Sequence, residues 1–183
     1  SGMMNIRDFD ETLTKSAYAA SNFLLKEERD KTPAQKSRAI LDAAEKFYQV
    51  RQYKPAEVYF LDAKLSYETG GISNNINYSK VHADLGLLYA TMGRYNSAEY
   101  YTSEALSIRE QTLGKNSKAY ASSLNNMAVL YQETARYNES EQYFKEAMQT
   151  VQNQLGPESN EYAIVLNNHA ILLAQIGRTE QAV

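Results

Sequence analysis

The chain has 183 residues, of which 43% are apolar and 22% charged, with a formal net charge of -3. That balance provides no broad basic field for gathering nucleic acid or an anionic membrane surface, and no run approaches the roughly 20 apolar residues of a membrane span. The absence of cysteine removes disulfides, thiolate metal sites and thiol nucleophiles, yet it leaves the compartment open because secreted proteins do not require disulfides.

Ser1-Gly2 ahead of Met3 reads as an expression-tag scar, and Val183 falls inside a repeated unit, so the sequence is expected to be an excised piece of a longer protein. Residues 3 to 25 are too interrupted by Asp8, Asp10, Glu11 and Lys15 for a signal peptide. Phe9, Leu13, Ala17, Ala20, Phe23 and Leu24 recur at helical spacing. Residues 1–31 are therefore expected to hold the scar plus either a capping helix or the second helix of a degenerate repeat. Thr32-Pro33 then opens a helix with a cap residue and a first-turn proline. Helices are predicted over about 33–50, 54–69, 76–92, 96–113, 117–134, 138–155 and 159–176. Asn96 with Glu99, and Asn138 with Glu141, have the spacing of capping boxes. Gly114 and Gly156 are expected to close the preceding helices in the left-handed conformation, as Gly70-Gly71 does earlier.

One period runs through these elements. Leu124-Asn125-Asn126 returns 42 residues later as Leu166-Asn167-Asn168. At the same step Tyr131 meets Tyr89 and Phe47, Tyr162 meets Tyr120 and Tyr78, and Tyr137 meets Tyr95 and Tyr53. Small residues keep the register: Ala147, Ala105 and Ala63; Ala170, Ala128, Gly86 and Ala44; Ser140, Ala98 and Ala56. A fixed period of this size marks a stacked array whose units cannot bury their apolar faces alone.

With Leu124 as its fourth position, the set Leu124, Met127, Ala128, Tyr131, Ser140, Phe144 and Ala147 resembles the tetratricopeptide repeat. That unit ordinarily has about 34 residues. The longer step here is similar to the kinesin-light-chain variety, whose signposts resemble Leu113-Gly114, Leu155-Gly156, Leu130-Tyr131 and Arg136-Tyr137. Similar arrays also occur in bacterial multidomain proteins. The resemblance implies an all-α fold, a right-handed α-α superhelix (solenoid) of stacked antiparallel helix hairpins. It covers residues 32–183, with repeats at about 37–78, 79–120 and 121–162 and a partial one at 163–183.

The resemblance also implies a protein-protein interaction scaffold, with a peptide or protein segment lying in a concave groove lined by the first helix of each repeat. The columns facing that groove read Arg38, Lys80, Ser122, Ile164; Asp42, Asp84, Asn126, Asn168; and Gln49, Thr91, Glu133, Gln175. Asparagine suits a peptide backbone because its amide both donates and accepts. Asn125 and Asn126 have a second reading, in which they are solvated or bond between neighbouring repeats. Arg38 with Asp42 and Lys80 with Asp84 are i,i+4 pairs of the kind usually solvated on helix surfaces. Tyr78, Tyr120 and Tyr162 are expected to stack inside the array with their hydroxyls in water.

Two other roles stand beside peptide binding. One is a structural spacer or dimerisation element that associates through Val165, Leu172, Leu173 and Ile176. The other is a regulatory arm of an enzyme whose catalytic module lies elsewhere. His82 and His169 occupy packing positions in different repeats, and no nucleophile elbow, phosphate loop or metal-spaced cluster occurs. The expectation is therefore a non-enzyme without cofactor or metal.

Overall fold

A computed structural model describes residue 26 and residues 29–181. The expected scar and capping helix or degenerate repeat fall largely outside the described residues. Among the described residues from Pro33 onward there are seven helices: α1 (Pro33–Gln49), α2 (Tyr53–Thr69), α3 (Ile76–Thr91), α4 (Tyr95–Leu113), α5 (Lys118–Glu133), α6 (Tyr137–Leu155) and α7 (Asn160–Gln181). No strand occurs among the described residues. Short turns fold α1 onto α2, α3 onto α4 and α5 onto α6, and each hairpin packs on the next. The fold is thus an all-α solenoid of stacked antiparallel hairpins.

Each turn has a local cause. Thr32 caps α1 by accepting from the Gln35 backbone N–H at 3.2 Å, and its own N–H donates to Gln35 Oε1 at 2.9 Å. This reciprocal pairing satisfies two donors that the helix itself leaves unpaired. Within the hairpins, Arg51, Gly93 and Ala135 hold φ of 60°, 72° and 60°. The next N–H reaches back to Phe47 O, Tyr89 O and Tyr131 O at 2.9, 2.8 and 2.8 Å. That six-to-one bond closes each first helix.

The same bond overturns the expected capping boxes. It moves each N-cap two residues back, from Asn96 and Asn138 to Arg94 and Arg136, which make no side-chain cap bond. Asn96 and Asn138 lie inside the first turn. Glu99 is drawn away to Tyr131 Oη (3.1 Å) and Arg136 (2.9 Å). Its counterpart Glu57 accepts from Tyr89 Oη and Arg94 at 2.9 and 3.0 Å. Arg94 and Arg136 also sit over the Tyr89 and Tyr131 rings at 4.9 and 4.1 Å. Burial, with the Glu99 carboxylate beside it, pushes the Tyr131 phenol up to about 12.

Between hairpins, Gly114 and Gly156 do close α4 and α6, but not in the left-handed α region. Their φ of 78° and 82° comes with ψ of 168° and 167°, an extended conformation essentially open to glycine alone. The chain then returns to a serine cap: Ser117 and Ser159 accept from Tyr120 N and Tyr162 N while donating to the Gly114 and Gly156 carbonyls at 3.1 and 3.0 Å. α7 runs to Gln181, five residues past its expected end. Gly177 alone does not stop it, because a single helical glycine costs only about 1 kcal/mol.

Inside, the small columns are buried: Ala44, Ala56, Ala63, Ala98, Ala128 and Ala147 have no exposed surface. Ser140 donates to the Ala128 carbonyl at 2.6 Å, across the hairpin. Bulky neighbours form two apolar clusters, one around Leu41, Phe60, Leu85 and Leu88, the other around Leu124, Phe144 and Leu172. Two of the three tyrosine hydroxyls expected in water are bonded instead. Tyr78 donates to Glu68 at 2.8 Å and Tyr120 to Glu146 at 3.2 Å, since a carboxylate anchored on the neighbouring second helix outcompetes solvent. Val165 and Leu172, two of the residues through which self-association is expected, are buried. The exposed apolar side chains of α7 are Ile164, Leu166, Ile171 and Leu173, because α7 turns its buried side toward α6.

His82 packs in the first cluster and its Nδ1–H donates to Tyr78 O at 2.9 Å. Burial lowers its pKa from the ordinary 6.5. The unfolded chain therefore takes up the proton first as pH falls, and stability is lost below about pH 6.5. Replacing His82 by Leu is expected to reduce the loss of melting temperature on going from about pH 7 to pH 5, measured by circular dichroism. Ala135→Gly relieves an exposed left-handed alanine whose penalty of roughly 1–2 kcal/mol exceeds the entropic cost of glycine. It is expected to raise the melting temperature by about 1–4 °C, and no rise would show the turn to be unstrained.

Candidate functional site

The first helices α1, α3, α5 and α7 line one face of the stack, and three junctions join them. At the first, Arg38 donates to Asp42 Oδ1 at 2.8 Å and to Asn77 Oδ1 at 2.7 Å. Lys80 pairs with Asp84 at 2.8 Å and also with Glu45 on α1. The Lys80–Asp84 pair is thus half-buried and not solvated, and through Glu45 its lysine also bridges the two repeats. Burial raises the Asp84 carboxyl above its ordinary value even though Lys80 pulls it down. Burial lowers the Lys80 ammonium, but its two carboxylates outweigh that and hold it above the ordinary value. Tyr48 Oη lies 3.2 Å from Thr91 Oγ1, and Gln49 is exposed beside a recess that Lys80 and Asp84 also line.

The third junction, between α5 and α7, is bridged by two amide pairs and by the exposed ion pair Lys118–Glu161 at 3.5 Å. Asn168 Nδ2 donates to Asn125 Oδ1 at 3.2 Å and Gln132 Nε2 to Gln175 Oε1 at 2.6 Å. For Asn125 and Asn168, bonding between repeats is therefore what the structure shows. Ser122 is exposed on the lip of a separate cavity in this junction.

The second junction differs. No side-chain hydrogen bond among the described residues joins α3 directly to α5. Both helices lean instead on Arg109 of α4, which is 8% exposed. Its Nε donates to Ser79 Oγ at 3.1 Å, and Nη1 donates to Ser123 Oγ at 2.8 Å and to Ala119 O at 3.2 Å. Burial lowers the affinity of this guanidinium for its proton, with Asp84 acting in the opposite sense. Thr102 stands where the template has Phe60 and Phe144, and Gly86 stands where it has Ala44 and Ala128. These losses of bulk leave a cleft of about 90 Å³, floored by Gly86 and Thr102 and walled by Val129 and Leu130. Asn126, Glu133 and Leu87 flank its opening. Leu87 is 54% exposed, and Asn126 has no hydrogen-bond partner among the described residues. Desolvation raises the Glu133 carboxyl above the ordinary carboxylate value.

Of the column residues, then, Asn126 and Glu133 share the cleft, whereas Arg38, Asp42, Lys80, Asp84 and Thr91 sit in the first junction and Asn168 and Gln175 bridge the third. Leu87, Thr102 and Arg109 were missed. The signal for two of them was in the period: Thr102 breaks the Phe60/Phe144 column, and Arg109 stands between Tyr67 and Val151 in another.

A family model described as tetratricopeptide repeat matches residues 75–149 and again 119–183. The chain belongs to the tetratricopeptide repeat family. Tetratricopeptide repeats are in general protein-protein interaction modules. A crystal structure of BtubC (BKLC) from P. vanneervenii superposes with a TM-score of 0.77 at 18% identity, covering 96% of this chain and 70% of that one. A putative kinesin light chain of Podosopora anserina with nearly identical TPR-like repeats gives 0.70 at 15% identity, covering 84% and 72%. At such identities the likeness is one of fold, and it is to kinesin-light-chain-like tetratricopeptide proteins, whose folds are typically non-catalytic. No curated protein matches the sequence. Among the described residues of this tetratricopeptide array, no three His, Asp or Glu side chains are grouped to hold a metal, and no helix is long and apolar enough to cross a membrane.

A β-carbon added to Gly86 would collide with Thr102 Oγ1 and lie 3.1 Å from the Thr102 backbone nitrogen. Gly86→Ala is therefore expected to cost about 1–3 kcal/mol despite the higher helix propensity of alanine. Chemical denaturation checks this, and a neutral or stabilising result would mean that α3 and α4 are not in close contact at the cleft floor.

Proposed function

We propose that the first-helix face of this array binds an extended peptide or a helix from a protein partner, with the α3–α5 cleft as the anchor. The observation that carries this reading is the contrast between junctions. The first and third have polar groups paired across helices, while the second holds an unpartnered Asn126 amide beside an exposed Leu87 and the apolar walls Val129 and Leu130. An amide that both donates and accepts suits a peptide backbone, and an apolar recess next to it suits a side chain. Glu133 at the same opening favours a partner with a basic group nearby. Lys80 and Arg38 are already held by Glu45, Asp84, Asp42 and Asn77, which argues against a partner recognised through its carboxylates.

The test uses peptides selected from a random displayed library against the immobilised chain. Asn126→Ala combined with Leu87→Ser is expected to weaken the selected peptides at least tenfold, about 1.4 kcal/mol, with an unchanged helical melting curve because both side chains lie at the surface of the cleft. Asn168→Ala, which removes only the bond to Asn125, is expected to change binding little. Full retention of binding by the double variant would refute the cleft as the anchor.

A further inference from the structure

The junctions are copies of one template, so a position can be compared with itself 42 residues on. Where the last turns of the second helix face the next hairpin, the first junction carries Tyr67, the second Arg109 and the third Val151. Tyr67 and Arg109 are long and buried. Arg109 spans its slot to reach Ser79, Ala119 O and Ser123. At the third junction the counterparts of those partners are Ala121, Glu161 and Val165, and Val151 is too short to span the same space. A cavity of about 130 Å³ is left between α5, α6 and α7.

The chemistry of this slot is specific. Ala121, Val151, Leu155 and Val165 make its walls apolar, and Ile164, 58% exposed, stands at the mouth. One polar atom in the lining is unsatisfied: Gln154 Nε2 is buried with no hydrogen-bond partner. Leaving such a donor unmade costs about 1–3 kcal/mol, which an acceptor supplied from outside recovers. The rim pair Lys118–Glu161, 3.5 Å apart, is self-neutralising and asks for no charge. An aliphatic-walled cavity of about 150 Å³ takes a benzene-sized group in other proteins, so this slot accommodates one branched aliphatic side chain.

We propose that this slot is a recognition pocket for a single aliphatic side chain, leucine or isoleucine in kind, of a protein partner, with the Gln154 amide donating to a carbonyl oxygen of the same residue. It adds a second subsite to the binding face proposed above and rests on that face being the partner surface. Ser122 and Ile164, which line the pocket, belong to the same outward column as Arg38 and Lys80.

The test is an NMR titration of the full isotope-labelled chain with N-acetyl-leucine N′-methylamide, using the glycine analogue as the control. The leucine probe is expected to give saturable shifts of the Val151 and Val165 methyls and of the Gln154 side-chain amide, with the glycine probe giving none. Val151→Met fills the slot from within and is expected to weaken the leucine response at least tenfold. Ala121→Ser with Val151→Arg and Val165→Ser rebuilds the arginine wedge of the preceding junction and is expected to do the same. Circular dichroism melting shows which variant remains folded, and either one suffices. Equal response to the glycine probe, or a response surviving in a folded filled variant, overturns the proposal. So do shifts of these resonances with protein concentration alone, which would assign the slot to a second copy of the chain. Asn126 and Leu87 lie outside the slot, so a failure here leaves the cleft reading standing, and loss of the cleft reading leaves these resonances unaffected.

Discussion

The structure depends on how closely two helix backbones can approach within each hairpin. Ala44, Gly86 and Ala128 on the first helices face Ala56, Ala98 and Ser140 on the second, and none of these positions tolerates bulk without separating the pair. Close approach sends the bulky residues, such as Phe60, Phe144, Leu85 and Leu124, to the flanks of the hairpin, where they contact its neighbours. Each hairpin therefore has apolar surface that only the next hairpin covers, and the array grows by repetition instead of closing on itself.

Where the repeat departs from its own template, the core changes character. α4 carries Thr102 and Arg109 at positions that elsewhere hold Phe60, Phe144 and Tyr67. The apolar interior is divided there into two clusters, joined by a guanidinium that bonds to Ser79, Ser123 and a backbone carbonyl. Hydrogen bonds of this kind keep a buried charge tolerable. They also hold α3 and α5 together from below while leaving their outer edges without a direct bridge. The α3–α5 cleft follows from the lost phenylalanine, and the slot beside Val151 follows from the lost long side chain. In both places a missing group makes room, and the proposed binding features of the face are those vacancies.

On the turn side of the stack a different device repeats. Glu57 receives Tyr89 and Arg94, and Glu99 receives Tyr131 and Arg136. Each arginine also lies on the tyrosine ring it accompanies. Exposed ion pairs of this sort contribute little singly, and a cation over a ring contributes about 0.5–1 kcal/mol. Their effect is one of register: the same glutamate fixes both the first helix and the turn of the following hairpin. The third copy is incomplete, since Leu173 stands where a tyrosine would, and Glu141 faces His169 at 3.8 Å and Lys145 at 3.2 Å instead.

The helices, their pairing and the stack were legible in the chain because a period of 42 residues repeats the burial pattern itself, and burial is what the alternation of small and bulky residues encodes. The cap at Thr32 was equally local. The hairpin turns were not, because a six-to-one backbone bond involves no particular side chain, so Asn96 and Asn138 have the spacing of caps although the N-caps lie two residues before them, at Arg94 and Arg136. Likewise the polar columns gave a list of residues on one face but not their partners. Whether Asn126 is unpaired while Asn168 is bonded to Asn125, or whether Lys80 reaches back to Glu45, depends on side-chain distances across helices far apart in sequence. Periodicity specifies which surfaces meet, whereas the cleft, the arginine wedge and the vacant slot are set by volume and hydrogen-bond reach, which exist only once the hairpins are stacked.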